Sequence, residues 1–565
     1  MSASRAAAFL AALLAAAASR RLLPRHAGRA SMRLGAAHPC AATVSGGASE
    51  MQPPLFRTAE RPPLWAYLVL LIFLGVASAS FAAESLPELV ERGEQAAALR
   101  ALEQGANVDA RGPDGATALL WAAHNGDREL VEALLARGAN PDAANDYGVT
   151  PLAAAAVEAD AEIIAALLEA GADVDSPNAE GQTALMVVAR TGRVEAAKLL
   201  LERGARVNAR EGFGGQTALM WAAAQKQPEM IRLLLEHGAD VDARGTAHEW
   251  ERRVTAEPRI KIMQTGGFTP LLYAAREGCV ACVEPLVAGG ADVDLSDPYG
   301  MTPLVLALYN RQFDTAVELI EHGADVNRWD WWGRSPLYLA IELNRIPDSR
   351  RNDLPSLDEH TGLDVARVLI ERGANVNMRL KHQPPLRNEP GDRGFTDGSP
   401  DVLVVSPGAT ALHVAAKASD DEAVKLLLEH GANVHAANVF GITPMMAAAG
   451  VGHWYGVFRE YPTIGRYKTG ADAVATMKLL LAAGATLDGR TTELSIGFQR
   501  PRVAGLTLAH GAAFQGWNEV IEFLHEQGAP IDAKQTSPDG ATPRDVALAE
   551  DHPETAALIE RLLAQ

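Results

Sequence analysis

The chain has 565 residues, 21% of them charged, with a net charge of −19 and three cysteines. Residues 1–83 hold eight Arg, no Lys and two Glu, so the remainder stands near −25. A surface this acidic repels phosphate backbones, which excludes nucleic acid as a partner and leaves solubility as the plain use of the charge.

Residues 1–50 are rich in Ala and Arg, with no acid before Glu50. They read either as a transit-like leader or as a stretch upstream of the working start at Met51; the Ala and Arg bias of a GC-rich coding sequence favours the second. From Met51, Arg57 and Arg61 precede an apolar run over 65–76, followed by Ala77-Ser78-Ala79 and Ser80-Phe81-Ala82. A basic start, a short apolar core and small residues at the end make 51–83 a signal peptide, and the protein is expected to be exported, periplasmic or extracellular. If uncleaved, 65–83 is just long enough for a single-pass membrane anchor.

From residue 84 the chain repeats itself. Residues 84–113 form an atypical first unit with helical stretches at 86–91 and 95–104, suited to capping a stack. Then comes a phrase of Gly, any residue, Thr or Ser, and an apolar run, as in Gly267-Phe268-Thr269-Pro270-Leu271-Leu272. Its Thr/Ser anchors are Thr117, Thr150, Thr183, Thr217, Thr269, Thr302, Ser335, Thr410, Thr443, Thr507 and Thr542, and five of the ten steps are 33 residues. Thr before Pro is an N-cap before a first-turn residue. Ala-Ala, as at Ala122-Ala123, keeps the first helix thin. A second helix follows with helical apolar spacing, such as Ile163, Ile164, Leu167 and Leu168. A Gly-Ala pair, as at Gly238-Ala239 and Gly290-Ala291, closes it, and an Asp/Asn stretch leads into the next turn. Five insertions interrupt the period, at 245–266, 345–361, 378–406, 451–470 and 489–503; the last unit spans about 538–565.

This unit resembles the ankyrin repeat, with its 33-residue period and Thr-Pro-Leu-His signature. The signature His stands squarely at His413; other copies place Leu120, Ala153, Met186, Met220, Leu272, Val305, Tyr338 or Met446 there. The resemblance implies an all-α solenoid of about twelve helix-turn-helix units with β-turn fingers and a concave face. It implies a non-catalytic scaffold that binds a partner protein, here as a monomer outside the cytoplasm.

No zinc-protease helix, nucleophile elbow or phosphate loop is present, so no enzyme activity, cofactor or metal is expected. Gly212-Phe213-Gly214-Gly215 is the repeat's own turn, and His237, His322 and His430 share a slot with Arg137, Arg203 and Arg372, a base near a helix C-terminus. A distant alternative is an enzyme built on the insertions with His382, His453 or Asp392. Cys279 and Cys282 read as core fillers, Cys282 in a slot that holds Val131, Ile163 or Ile231 elsewhere; export makes a disulfide between them possible but not required. The residue just before the Thr/Ser is expected to point outward for a partner: Phe268, Met301, Arg334, Ile442 and Leu506. Beside it stand Trp329, Trp331 and Trp332, which are costly to expose unless a partner, or the insertion 378–406, covers them.

Overall fold

Each unit is built from local rules. Thr117 Oγ1 accepts the Leu120 N–H at 3.3 Å, and Thr269 and Thr302 cap their helices the same way through Leu272 and Val305, each with Pro at the first helical position. The computed structural model describes residues 85–158, 160–247, 266–344, 358–382, 404, 406–452, 468–492, 504–536 and 540–565. The chain divides into Met1–Phe81 and Ala82–Gln565, and all described residues belong to the second part. The leader, signal and anchor readings of 1–83 therefore lie outside the described residues, as does the middle of each insertion.

Among the described residues all regular structure is helical. The inner helices are α1 (Leu86–Glu91), α3 (Ala118–His124), α5 (Pro151–Glu158), α7 (Ala184–Thr191), α9 (Ala218–Ala224), α11 (Pro270–Glu277), α13 (Pro303–Tyr309), α15 (Pro336–Asn344), α17 (Ala411–Ala418), α19 (Pro444–Ala448), α21 (Leu508–Gln515) and α23 (Pro543–Ala549). Each is followed by an antiparallel outer helix: α2 (Gln95–Glu103), α4 (Arg128–Ala136), α6 (Ala161–Glu169), α8 (Val194–Glu202), α10 (Pro228–Glu236), α12 (Val280–Ala288), α14 (Phe313–Glu321), α16 (Gly362–Glu371), α18 (Asp421–Glu429), α20 (Gly470–Ala482), α22 (Asn518–Glu526) and α24 (Pro553–Leu563). Inner helices pack on inner and outer on outer, and one buried apolar cluster runs from Leu86 to Ile559. The Ala pairs let inner helices approach closely, while Leu130, Val131 and Leu134 of α4 and their counterparts each contribute about 1.5–3 kcal/mol by burial.

Two further devices tie unit to unit. From α2 to α16, an Asp or Asn after the outer helix accepts a backbone N–H from the next unit: among them Asp142 from Asp173 (2.9 Å), Asp242 from Asp292 (3.2 Å), Asn327 from Asn375 (2.7 Å) and Asn377 from Asn433 (2.8 Å). The last three bonds span insertions, so the stack continues across them. The fingers also join: Asp146 N–H donates to Asp114 O, Trp331 N–H to Tyr299 O and Thr492 N–H to Phe440 O, all within 3.0 Å.

The turn between inner and outer helix needs a left-handed residue nine positions after the cap. Gly278 takes it with φ 75°, where an added Cβ would collide with the Gln312 side chain of the next unit. Lys226, Arg311, Ser419 and Asp551 occupy the same slot with φ between 49° and 65°, without glycine's ease.

The insertions leave the stack through held necks. Gly245 N–H donates to Phe268 O (3.0 Å) and Gly267 N–H to Thr246 O (3.2 Å); Leu380 and Ala409, and Thr491 and Leu506, are bonded likewise. At the insertion inside the unit of Ser335, Asp314 of the preceding unit accepts from the backbone N–H of Glu359 (2.9 Å) and His360 (3.0 Å), while Asp358 caps α14 at Phe313 (2.8 Å). Lys468 closes the neck after α19. Its ammonium is enclosed although its stem is partly exposed, and it donates to Ala416 O, Lys417 O and Ala448 O at 2.9–3.3 Å; burial pulls its pKa down to about 7.

Two expectations are corrected and one left open is decided. A second signature His exists: His510 repeats the arrangement of His413. In both, Nδ1 accepts the capping Thr N–H at 3.1 Å and Nε2 reaches the next finger's carbonyl, Ile442 O at 3.0 Å and Ala541 O at 3.1 Å. Cys282 fills the slot of Leu130, Ile163 and Met230, one residue before that of Val131 and Ile231. Cys279 and Cys282 are both buried, as core fillers should be, but they are joined in a disulfide.

Candidate partner-binding surface

Several fingers turn around an acceptor side chain five residues before the cap. Asn145 Oδ1 accepts from Tyr147 N–H (3.1 Å) and Val149 N–H (2.9 Å); Asp297, Asp330 and Asn438 do the same for their own fingers. The second bond holds the backbone of the residue just before the Thr/Ser. Met301, Arg334 and Ile442, so held, are buried against the neighbouring units, against the expectation that this slot faces outward, while Val149 and Gln182, held by the same bond, are half-buried. Phe268 and Leu506 are half-buried. Phe268 lies edge-on to Tyr273 at 5.5 Å, and the Arg276 guanidinium sits over both rings.

The outward positions lie earlier, at the finger tips. Phe213 is 82% exposed, Trp331 is 62% exposed and Trp329 43%, and Tyr147 and Val439 are exposed at equivalent tips. The three tryptophans part company here. Trp332 is buried, stacked on Tyr299 of the preceding finger at 6.0 Å, with Arg334 4.8 Å above its ring and 4.8 Å from that of Tyr309. Arg334 Nε also bonds Asp330 Oδ2 at 2.6 Å, both side chains buried. Burial alone would lower the guanidinium's pKa, but Asp330 and Glu342 hold it above the ordinary value.

Trp331 and Trp329 face out over this base. Trp331 stacks on His382 at 5.0 Å, and Lys381 Nζ lies 3.9 Å above Trp329. The backbone N–H groups of Lys381 and His382 donate to Trp332 O at 2.9 and 3.1 Å. The start of the insertion 378–406 thus lines the patch and leaves both indoles partly open; residues 383–403 lie outside the described residues. The arrangement offers two rigid aromatic faces with two basic groups, on a chain that is otherwise strongly acidic.

Other candidate groups do not converge. His382 is part of the stack, and His453 and Asp392 lie outside the described residues. Among the described residues no group of three or more His, Cys, Asp or Glu is placed to hold a metal, and no helix is long and apolar enough to cross a membrane. Sequence reading missed Lys381 and His510. The Thr-x-x-His spacing shows the latter, while nothing in the spacing marks the former.

Paired helices, linked turns and displayed tips define a helical repeat protein built to present its loops. The chain belongs to the ankyrin-repeat family: the family's model of ankyrin repeats matches residues 87–178, 159–245 and 271–380, and the single ankyrin repeat matches 408–439. Such repeats are protein-interaction scaffolds and are generally non-catalytic. The chain is similar to a transient receptor potential cation channel subfamily A member 1 homolog of Caenorhabditis elegans, 26% identical over 149 residues, which are 26% of this chain and 10% of that protein. It therefore spans about a tenth of that relative's length. Among solved structures, the human ASB11 ankyrin repeat domain is 24% identical, over 43% of this chain and 99% of that one, with a TM-score of 0.36.

Proposed function

We propose that this chain is an exported array of about twelve ankyrin units that binds a partner protein as a monomer, through the finger that carries Trp329 and Trp331. The observation that carries the reading is the exposure of these two indoles on a finger held by the buried Asp330–Arg334 pair. Rigid aromatics lose little entropy on docking and make strong anchors. Phe268 and Leu506, half-buried at finger bases, extend the surface; Met301, Trp332, Arg334 and Ile442 support it from within. The signal-like pattern of 51–83 and the disulfide at Cys279–Cys282 favour a site outside the cytoplasm.

Two measurements test this. Covalent capture in the native envelope should retain a partner on the wild-type chain. The double variant Trp329→Ala, Trp331→Ala should lose it by at least about tenfold with unchanged melting. Equal capture would remove the finger from the proposal. Mass spectrometry of the mature N-terminus should find a start at Ser80 or Ala83. A mature chain retaining 65–83 would replace export with a membrane-anchored adaptor.

A further inference from the structure

Outer helices begin at a common slot ten residues after the capping Thr/Ser. Asp127, Asp160 and Asp420 fill it, and their carboxylates accept the N–H of the third helical residue: Leu130 at 3.1 Å, Ile163 at 3.2 Å and Ala423 at 3.2 Å. In α12 the slot holds Cys279, whose side chain accepts no capping hydrogen bond. Its sulfur is bonded instead to Cys282, the third helical residue. The same two positions are joined by a hydrogen bond in these three sister units and by a covalent bond here, while Arg193, Gln227, Gln312 and Trp517 fill the slot elsewhere without a side-chain cap. The Cys282 N–H, deprived of a carboxylate, falls back on Cys279 O at 3.1 Å.

We infer that the Cys279–Cys282 pair is a covalent N-cap and a reversible oxidative modification site, closed in oxidising surroundings and opened by a dithiol. In the opening step the S–S bond breaks and each cysteine sulfur gains one proton. The dithiol supplies two electrons and two protons and becomes a cyclic disulfide. Closure is the reverse exchange with a disulfide-bearing oxidant. Opening leaves α12 without the restraint on its first turn. It also leaves Cys279 at a helix N-terminus, where the dipole favours the thiolate. Both residues are buried against the core, so exchange proceeds through local opening of this turn, and the intact fold shields the bond. The junction it guards is that of α11, whose Tyr273 and Arg276 pack with Phe268.

The test uses the full chain purified under oxidising conditions. Iodoacetamide should leave the peptide bearing Cys279 and Cys282 unlabelled until dithiothreitol is added, and then label both. Hydrogen exchange of the first-turn amides of α12 should quicken roughly fivefold on reduction, the effect of losing one cap. The double variant Cys279→Asp, Cys282→Ile copies the Asp160–Ile163 pair. It should exchange as slowly as the oxidised wild type and ignore dithiothreitol. The control Cys279→Ala, Cys282→Ile should exchange fast under both conditions. Labelling without reductant, or exchange in the wild-type chain that does not change on reduction, would overturn the inference without recourse to any variant. Equal exchange in the two double variants would also overturn it, by removing the capping role.

Discussion

The run from 85 to 247 and the part from 266 to 565 use the same unit in two ways. In the first, the buried polar side chains are the capping threonines and Glu211, which organises its own finger. Period and apolar burial suffice there. In the second, buried polar groups accumulate: Asp297, Asp330, Arg334, His413, Asp420, Asn438 and His510. Several of them sit where an insertion must be held. Asn438 Nδ2 donates to Val404 O at 3.3 Å, and Asn344 Nδ2 donates to Asp420 at 2.6 Å. An uninterrupted stack is positioned by its neighbours; an interrupted one needs directional bonds to restore the register. Such bonds add little net stability when made and cost much when half-removed.

The sharpest way to break the comparison is Arg334→Met. It leaves Asp330 buried without its cation, and a loss of about 3–5 kcal/mol is expected in urea unfolding. Substituting a finger residue of the first part, such as Gln182→Met, should change stability by less than about 0.5 kcal/mol.

Acid should separate the parts next. Burial, foremost, lowers the pKa of His413 and His510 to about 4, and Nδ1 of each already faces an N–H donor. As pH falls below 6.5 the unfolded chain takes up these protons and the folded chain does not. Stability is therefore full above pH 6.5, drains away towards pH 4 and levels off below, by about 3 kcal/mol per histidine at most. Melting curves across that window should show it. The pair His413→Met, His510→Met should show a smaller slope and a lower plateau.

A smaller effect sets the two kinds of helix junction against each other. Gly278→Ala meets both the left-handed backbone and Gln312 and should cost about 1–3 kcal/mol. Lys226→Gly, at the same slot, should add about 0.5–1 kcal/mol by relieving an L-residue held at φ 57°. Thermal melts of the two variants should move in opposite directions. Smallest is Trp331→Ala, which should leave stability within about 0.5 kcal/mol, since its ring faces outward beside His382. A large loss of stability there would make it a structural residue.

Much of the fold was legible because its rules are local. Thr269 caps the helix that begins one residue later, Pro270 starts it, Ala274-Ala275 keep it slim and Gly278 ends the turn, all within ten residues of chain. The surface was legible only as composition. Trp329, Trp331 and Trp332 look alike in sequence, and three tryptophans at a turn say only that something must cover them.

What the amino-acid sequence determined alone is therefore the period, the helix pairs and the Thr/Ser anchors, since capping, helical spacing and left-handed turns act between neighbours in the chain. Tertiary structure decided which residue of each finger faces out, because stacking on the neighbouring units buries Met301, Arg334 and Ile442 before the cap and leaves earlier tips such as Trp331 to solvent. It also decided that Trp332 is sandwiched while Trp331 is displayed, and that Cys279 and Cys282 meet as a bond. Each of these depends on groups that come together only when one unit has stacked on the next or one turn has closed, a geometry that residue spacing does not carry.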